Sequence, residues 1–488
     1  MRKRFDAQIG LGETAVEEVT IPLNSRDELP PILAGLQWMF KTQEIHVQIF
    51  ELLENQVVGD KQETGRPGMD LWHIFVLGVI RLGLGCDYDR LEHIANHDNL
   101  VRQIMGLPRF DVGKQFHHRT ISQNVCQIDA KLVEKVNDIV VLHGRKVLSG
   151  KEQAPKIEAK TDSFVLETNV HYPTDCNLLW DASRKCVELL SSLYENRNLG
   201  GWRKSAFWKK QIKMAKRACE RIISKGGPNK AERMRKAAQS YLTKTYVLEE
   251  KINESVIELN GQPLGILELN TLTEIKHFHE MLIKHIDLVD RRLVKEETIA
   301  HEEKVFSLFE PHTELIKKGK TMPPVEFGHR FLVTTDQYQL VIDYKVMEGG
   351  SEGAEIVPVV DRLLYRFGED SLASLSTDKG FSSKEDRELL ELFIDDVMMP
   401  KKGKKNAEDT ERERAPRWLK LKDKHSEVES NINSLEQHGL DRCPDKGLHG
   451  YKRYAGLGVL AYNLHRIGKG LLEQAAGSKT RGRKKKAA

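Results

Sequence analysis

Acidic side chains at three widely separated places are the residues best suited to chemistry: Asp162 in KTDSFVLETNVHYPTD, Asp378 in SLSTDKGF and Glu429 in HSEVESNINSLEQHGLDRC. Carboxylates are hard oxygen ligands of the kind that hold Mg²⁺, and a pair of such ions activates water or a hydroxyl against a phosphodiester. Asp162 interrupts KIEAKTDSFVLETNV, whose rough alternation and β-branched content predict a strand. A carboxylate there is either exposed on the strand face or in need of a partner. Asp378 ends an apolar run just before Lys379-Gly380, where α/β folds place ligands at strand carboxyl ends; a cap or turn role fits it equally. Glu429 lies on a helix whose apolar stripe is Val428, Ile432 and Leu435, with Glu429, Asn433 and Glu436 on the adjacent face. Glu427 is the neighbour that simple counting would confuse with it.

Other polar groups point to less defined roles. His171, Tyr172, Thr174 and Asp175 follow the first acid and either position a substrate or form a turn fixed by Pro173. Lys317, Lys318 and Lys320 are candidate phosphate contacts in a loop, or simply solvated lysines. The string GKT at 319–321 is not a Walker A motif, because position 314 is Glu rather than Gly, and HEMLIKH (279–285) lacks the spacing of a zincin. Six cysteines without a CxxC pair suggest neither a zinc site nor a disulfide framework. Neither ATP nor zinc is therefore expected, and a reducing cytoplasm fits best.

Charge is concentrated. The net charge of the 488-residue chain is only +4, yet residues 197–244 carry 15 Lys/Arg against Glu220 and Glu232, with Trp202, Phe207, Trp208 and Tyr241 interleaved. A basic face of this kind suits a polyphosphate partner better than it suits solubility alone. Arg203, Lys204, Lys209, Lys210, Lys213, Lys216 and Arg217 are the candidate contacts.

The elements that must position these groups follow from patterning. With 39% hydrophobic and 30% charged residues the chain is expected to be soluble and globular, with room for two to four domains. The longest apolar stretch, residues 71–85, is too short to span a bilayer and contains His73 and Arg81, and the basic N-terminus has no apolar h-region, so no secretory signal is expected. Helices are predicted over 29–60 and 69–106, separated by GDKQETGRPG with Asp70 as a cap, and from Thr120 or Ser122 to about Leu148. Several short helices in this order suit either a helix-turn-helix domain or an ordinary bundle. After the first strand a basic helical block runs to about residue 306. Two strands joined at Asp336-Gln337 follow, then helix, strand, helix capped by Ser382 or Ser383, a short strand at DVMMP, a charged linker over 401–416, the helix with Glu429 and a buried helix over 454–468. The tail GSKTRGRKKKAA is expected to be disordered. Without the helical block this is an α/β order with a mixed sheet, and it is also the order of an RNase H-like domain.

Several blocks carry a more specific signal. TDSFVLETNVHYPTDCNLLWDA, FEPHTELIKKGKTMPPVEFGH, STDKGF and VESNINSLEQHGLDRCPDKGL resemble DDE transposases of bacterial insertion sequences, in particular the ISNCY-type group, over about Gly65 to Gly468. The resemblance implies an RNase H-like catalytic domain (151–183 and 307–470) with a large helical insertion (184–306), preceded by an α-helical, helix-turn-helix-like DNA-binding domain (1–150). It implies Asp162, Asp378 and Glu429 as catalytic and metal-binding residues, two Mg²⁺ ions (Mn²⁺ substituting), double-stranded DNA as partner and at least a dimer in the DNA complex, in a bacterial cytoplasm at the nucleoid. The activity implied is cleavage at element ends and joining of their 3′-hydroxyls to target DNA. An RNase H-like nuclease without strand transfer, and a DNA-binding derivative whose acids hold no metal, are the alternatives. One departure is visible: other DDE transposases place Arg three residues before the third acid and Lys beyond it, roughly where this chain has His425 and Glu436.

Overall fold

A computed structural model describes residues 4–5, 14–58, 68–108, 113–224, 227–317 and 324–486, with side chains described to Gly477. The segment GDKQETGRPG falls almost wholly outside the described residues, as do Lys318 and Lys320. The chain divides into two compact units, residues 1–169 with 314–488, and residues 170–313.

The first unit opens with helices α1 (Leu29–Lys41), α2 (Gln43–Val57), α3 (Leu71–Gly83), α4 (Tyr88–His97), α5 (Asn99–Ile104), α6 (His118–Val125) and α7 (Ala130–Ser149). Local chemistry subdivides what periodicity alone reads as longer helices. Asp87, Asp98 and Asp129 each accept a backbone N–H of the following first turn, starting α4, α5 and α7. Asp70 stands at the N-cap position of α3 without capping it; its carboxylate goes to Lys114 at 3.2 Å and His73 at 3.3 Å. His117, rather than Thr120 or Ser122, starts α6, accepting the Arg119 N–H.

Strand β1 (Ile157–Thr168) is the centre of a mixed seven-stranded sheet completed by β2 (Glu314–Lys317), β3 (Val325–Thr335), β4 (Val341–Val346), β5 (Leu372–Thr377), β6 (Asp396–Met398) and β7 (Arg442–Cys443). β3 pairs antiparallel with β1 and carries β2 and β4 on its far edge, both antiparallel. On the other side β5 runs parallel to β1, β6 parallel to β5, and β7 joins the far end of β1. The short β2 and β7 are too brief to show a period, so patterning does not predict them.

Helices of the same unit alternate with these strands: α12 (Ile356–Phe367), α13 (Lys384–Leu390), α14 (Ala407–Arg414), α15 (Pro416–Leu435) and α16 (Gly447–Lys486). Ser383 is the cap of α13, its Oγ accepting the Asp386 N–H. The stretch expected as a charged linker contains α14, closed by a capping box between Asn406 and Asp409 and by Lys401–Asp409 and Lys405–Glu413 ion pairs. α16 runs on through Lys486, past the point where patterning ended it. It packs on α1, α3 and α7 so tightly that a Cβ on Gly35 would meet Leu464 O at 2.1 Å and one on Gly468 would meet Pro31 O at 1.9 Å. The N-terminal helices and the sheet share one apolar core, with Trp72, Phe75, Phe331, Leu375 and Tyr451 all buried in it. Among the described residues no helix is long and apolar enough to cross a membrane.

The second unit is built from α8 (Asp175–Asn196), α9 (Ser205–Ser224), α10 (Lys230–Asn260) and α11 (Ile266–Val289). It has a core of its own, including Leu179, Leu190, Tyr241, Ile252, Ile275 and Leu282. The helical pattern ends earlier than residue 306, in a π turn over Asp290–Val294. Trp202 and Tyr241, read as part of an aromatic-basic surface, are buried: the indole N–H donates to Ser255 Oγ and the phenol to Cys176 O. Their apolar bodies serve the core, which outweighs any role at the surface.

Candidate active site

Side chains at positions 158, 160 and 162 of β1 share one face of the sheet, because successive residues of a strand alternate. α15 packs over β1, β5 and β6. Its register on β1 is set by a ladder of charge pairs: Lys424 with Glu158, then Glu427 with buried Lys160 at 2.8 Å. Glu429 comes next and brings its charge to bear on Asp162. The two neighbouring glutamates thus part company, Glu427 to a lysine and Glu429 to the acids.

Asp378 reaches the same place from the next strand. Thr161 pairs with Thr377, the last residue of β5, so Asp378 emerges beside Asp162. Its Oδ1 accepts the Gly380 N–H at 2.6 Å, while Asp162 Oδ1 accepts the Ser163 N–H at 2.7 Å. Burial, with the charges of Asp378, Glu352 and Glu429 added, pushes the Asp162 carboxyl up to about 7 despite the bond from Ser163. Asp378 and Glu429 are exposed, Asp162 half-buried.

The basic groups nearby are committed elsewhere: Lys160 to Glu427, Lys424 to Glu158, and Arg330 towards Glu352 at 3.5 Å. Among the described residues none of Asp162, Asp378 and Glu429 is ion-paired. The three share one neighbourhood without reaching mutual coordinating distance; only two groups among the described residues, both containing histidine, hold three ligand atoms within 4.8 Å of one another. The donor set still suits a hard divalent cation, since uncompensated carboxylates repel one another unless a cation or protons intervene.

Glu352 is the member that sequence reasoning missed. It lies in the turn between β4 and α12, in a polar GGSEGAE segment with no periodicity to single it out. Ser163 Oγ donates to its Oε1 at 2.6 Å. A Cβ on Gly380 would stand 2.4 Å from Glu352 Oε2 and 2.9 Å from Asp378 Oδ1, so this glycine lets two carboxylates close on one backbone. Gly380→Ala is expected to displace both and reduce any metal-dependent activity by about tenfold or more, with little change in melting temperature; an alanine variant of wild-type activity would show that their placement is immaterial.

His425, one turn before Glu429, is hydrogen-bonded through Nδ1 to Ser376 Oγ at 3.1 Å. Burial lowers its pKa to about 4 despite the Glu429 charge, so the imidazole is neutral at physiological pH. Where the family resemblance would have an arginine, this chain has an uncharged tie between α15 and β5.

The turn residues after β1 have structural partners within the second unit. Thr174 caps α8, His171 Nε2 meets Asp181 at 2.5 Å and Asp175 pairs with Arg292 at 2.7 Å; Tyr172 is exposed. Lys317 ends β2 and is exposed. On α9, Ile212, Ala215 and Cys219 are buried, while Lys210, Lys213 and Arg217 are exposed, as are Arg203 and Lys204 just before the helix. Lys209 and Lys216 are partly neutralised, by Glu188 at 3.4 Å and Glu220 at 3.2 Å.

No protein-family model, curated protein or solved structure matches this chain.

Proposed function

We propose that the chain is a DDE transposase with an RNase H-like catalytic domain, cutting DNA at the ends of an insertion sequence and joining the freed 3′-hydroxyls to target DNA. The observation that carries this reading is the convergence of Asp162, Asp378 and Glu429 from β1, the end of β5 and α15 into one group without counter-cations. The strand arrangement supports it: β1 to β4 joined antiparallel and then β5 and β6 parallel, with the acids on β1, just after β5 and on α15, which follows β6.

Asp162, Asp378 and Glu429 would hold Mg²⁺, with Mn²⁺ able to substitute, Glu352 lying against them. Two ions held there would supply charge neutralisation for the phosphodiester and a more acidic water or 3′-hydroxyl at neutral pH. The protein's part is positional. The Ser163 and Gly380 N–H groups fix one oxygen each of Asp162 and Asp378, and the Glu158–Lys424 and Lys160–Glu427 pairs hold α15 at the register that presents Glu429. Asp162, its carboxyl pushed up to about 7 by burial and neighbouring charge, would give up its proton on binding a cation. Glu429 is exposed and makes no ion pair among the described residues, which leaves it room to approach the other two acids. Wild-type protein is expected to cut duplex DNA carrying its element ends in Mg²⁺ or Mn²⁺ and to stop on chelation; binding without cutting in either metal would favour a DNA-binding derivative.

The exposed face of α9 supports duplex DNA as the partner. Replacing Lys210, Lys213 and Arg217 with alanine is expected to weaken DNA binding and to flatten the log–log salt dependence by about 2–3, near 0.9 for each phosphate no longer neutralised. An unchanged slope would remove this face from the interface.

A further inference from the structure

A second group of ligating side chains lies away from the acids, in the same unit. Glu28 at the start of α1, His438 in the bend after α15 and His465 on α16 bring one ligand atom each to within 4.8 Å of one another. They border a cavity of about 500 Å³. The bend is a built feature. His438 departs from helical geometry and Gly439 has φ +94°; Tyr454 donates to Gly439 O at 2.9 Å, and a Cβ on Gly439 would lie 3.2 Å from Gly85 Cα.

The imidazoles are prepared for ligation. His438 Nδ1 lies 2.6 Å from Gly83 O. A carbonyl only accepts, so Nδ1 carries the proton and the Nε2 lone pair is left for another partner, the tautomer control seen in metal-ligating histidines. His465 is 92% buried, and its Nε2 lies 2.7 Å from Glu28 Oε2 with the His438 ring 5.4 Å away between centroids. A buried ring nitrogen held against a carboxylate and beside a second imidazole is an arrangement a cation can occupy.

We propose that Glu28, His438 and His465 bind one divalent transition-metal ion, zinc in the first instance, which ties the N-terminal helix to the bend following the helix of Glu429. Two imidazoles and a carboxylate form a borderline donor set that suits Zn²⁺ and disfavours Mg²⁺, with a fourth position left for water. The other histidine group, Glu92 with His117 and His118, is less suited: His117 Nδ1 accepts the Arg119 N–H, and Glu92 Oε2 accepts both the N–H and the ring of His118.

The test uses the untagged full chain, stripped with chelator, dialysed against Zn²⁺ and then buffer, and assayed for zinc per chain; Co²⁺ loading gives a second readout in its visible d–d absorption. The expected result is one zinc retained and a Co²⁺ spectrum of four-coordinate intensity. Both are expected to be lost or weakened at least ~10-fold in Glu28→Gln and His438→Gln and kept in Asp162→Asn and in the His117→Ala/His118→Ala double variant. The Glu28 side chain is 54% exposed, so its variant should retain the wild-type helical circular dichroism and keep the test independent of misfolding. Absence of retained zinc, zinc undiminished in Glu28→Gln and His438→Gln, or zinc lost with Asp162 or with His117 and His118 would overturn the proposal.

Discussion

Asp162→Asn is expected to reduce metal-dependent DNA cleavage by about 10³-fold or more, since the variant forfeits several kcal/mol of charge stabilisation supplied through the bound cation. The same substitution is expected to stabilise the metal-free protein above neutrality. The carboxyl has an ordinary value of 3.8 and sits at about 7 in the fold. Between those values the folded state keeps a proton that the unfolded chain has released. Stability therefore falls as pH rises from about 4 to about 7 and stays lowered above, by roughly 2–4 kcal/mol for this one group. Asparagine does not titrate and escapes that loss. Thermal melts in chelator at pH 5 and pH 8 should show the wild type losing more than the variant, with Mg²⁺ at pH 8 restoring the wild type alone. A wild type that gains on the variant between pH 5 and pH 8 would mean that burial and the neighbouring carboxylates do not hold the Asp162 carboxyl up.

The second large effect separates two glutamates that are two residues apart. Glu429→Gln is expected to lose cleavage as completely as Asp162→Asn while melting near the wild-type temperature, because Glu429 is exposed and has no ion pair to lose among the described residues. Glu427→Gln should behave oppositely. Among the described residues it leaves the Lys160 ammonium, 3% exposed, with Asp336 O at 3.4 Å as its remaining partner. Removing one partner of a buried pair costs several kcal/mol; since the Glu427 side chain is 45% exposed, roughly 1–2 kcal/mol is expected here. Cleavage at permissive temperature should remain within about tenfold of wild type. If instead Glu427→Gln is the inactive variant and Glu429→Gln the unstable one, the third acid has been assigned to the wrong residue.

These contrasts mark what the sequence made legible. Asp162 and Asp378 stood out because each breaks or ends an apolar run, a local signal that survives folding. For the third acid, helical periodicity put Glu429 on the face beside the apolar stripe but left Glu427 as a neighbour easily confused with it; the pairing of Lys160 with Glu427 depends on a strand 267 residues away. Glu352 was invisible for the same reason. Its polar turn has no period, and only sheet topology brings it beside Gly380. CxxC and HExxH spacings reveal zinc ligands that share one element; the proposed ligands Glu28, His438 and His465 come from three. The mixed α/β order was readable because strands and helices of ordinary length alternate. Helix ends were read less well, since single side chains such as Asp98 and Asp129 set them. The aromatics of the basic block misled where hydrophobic burial outweighed surface composition, at Trp202 and Tyr241.

The most direct test of the transposase reading is to incubate the full chain with Mg²⁺, a DNA bearing the terminal repeats that flank its own gene and a separate target DNA, then sequence all new ends and junctions. Cuts at the repeat boundary, with element 3′ ends joined to target DNA and no products from Asp162→Asn, are the predicted result. Metal-dependent cuts that never yield joined 3′ ends would contradict it and leave a nuclease.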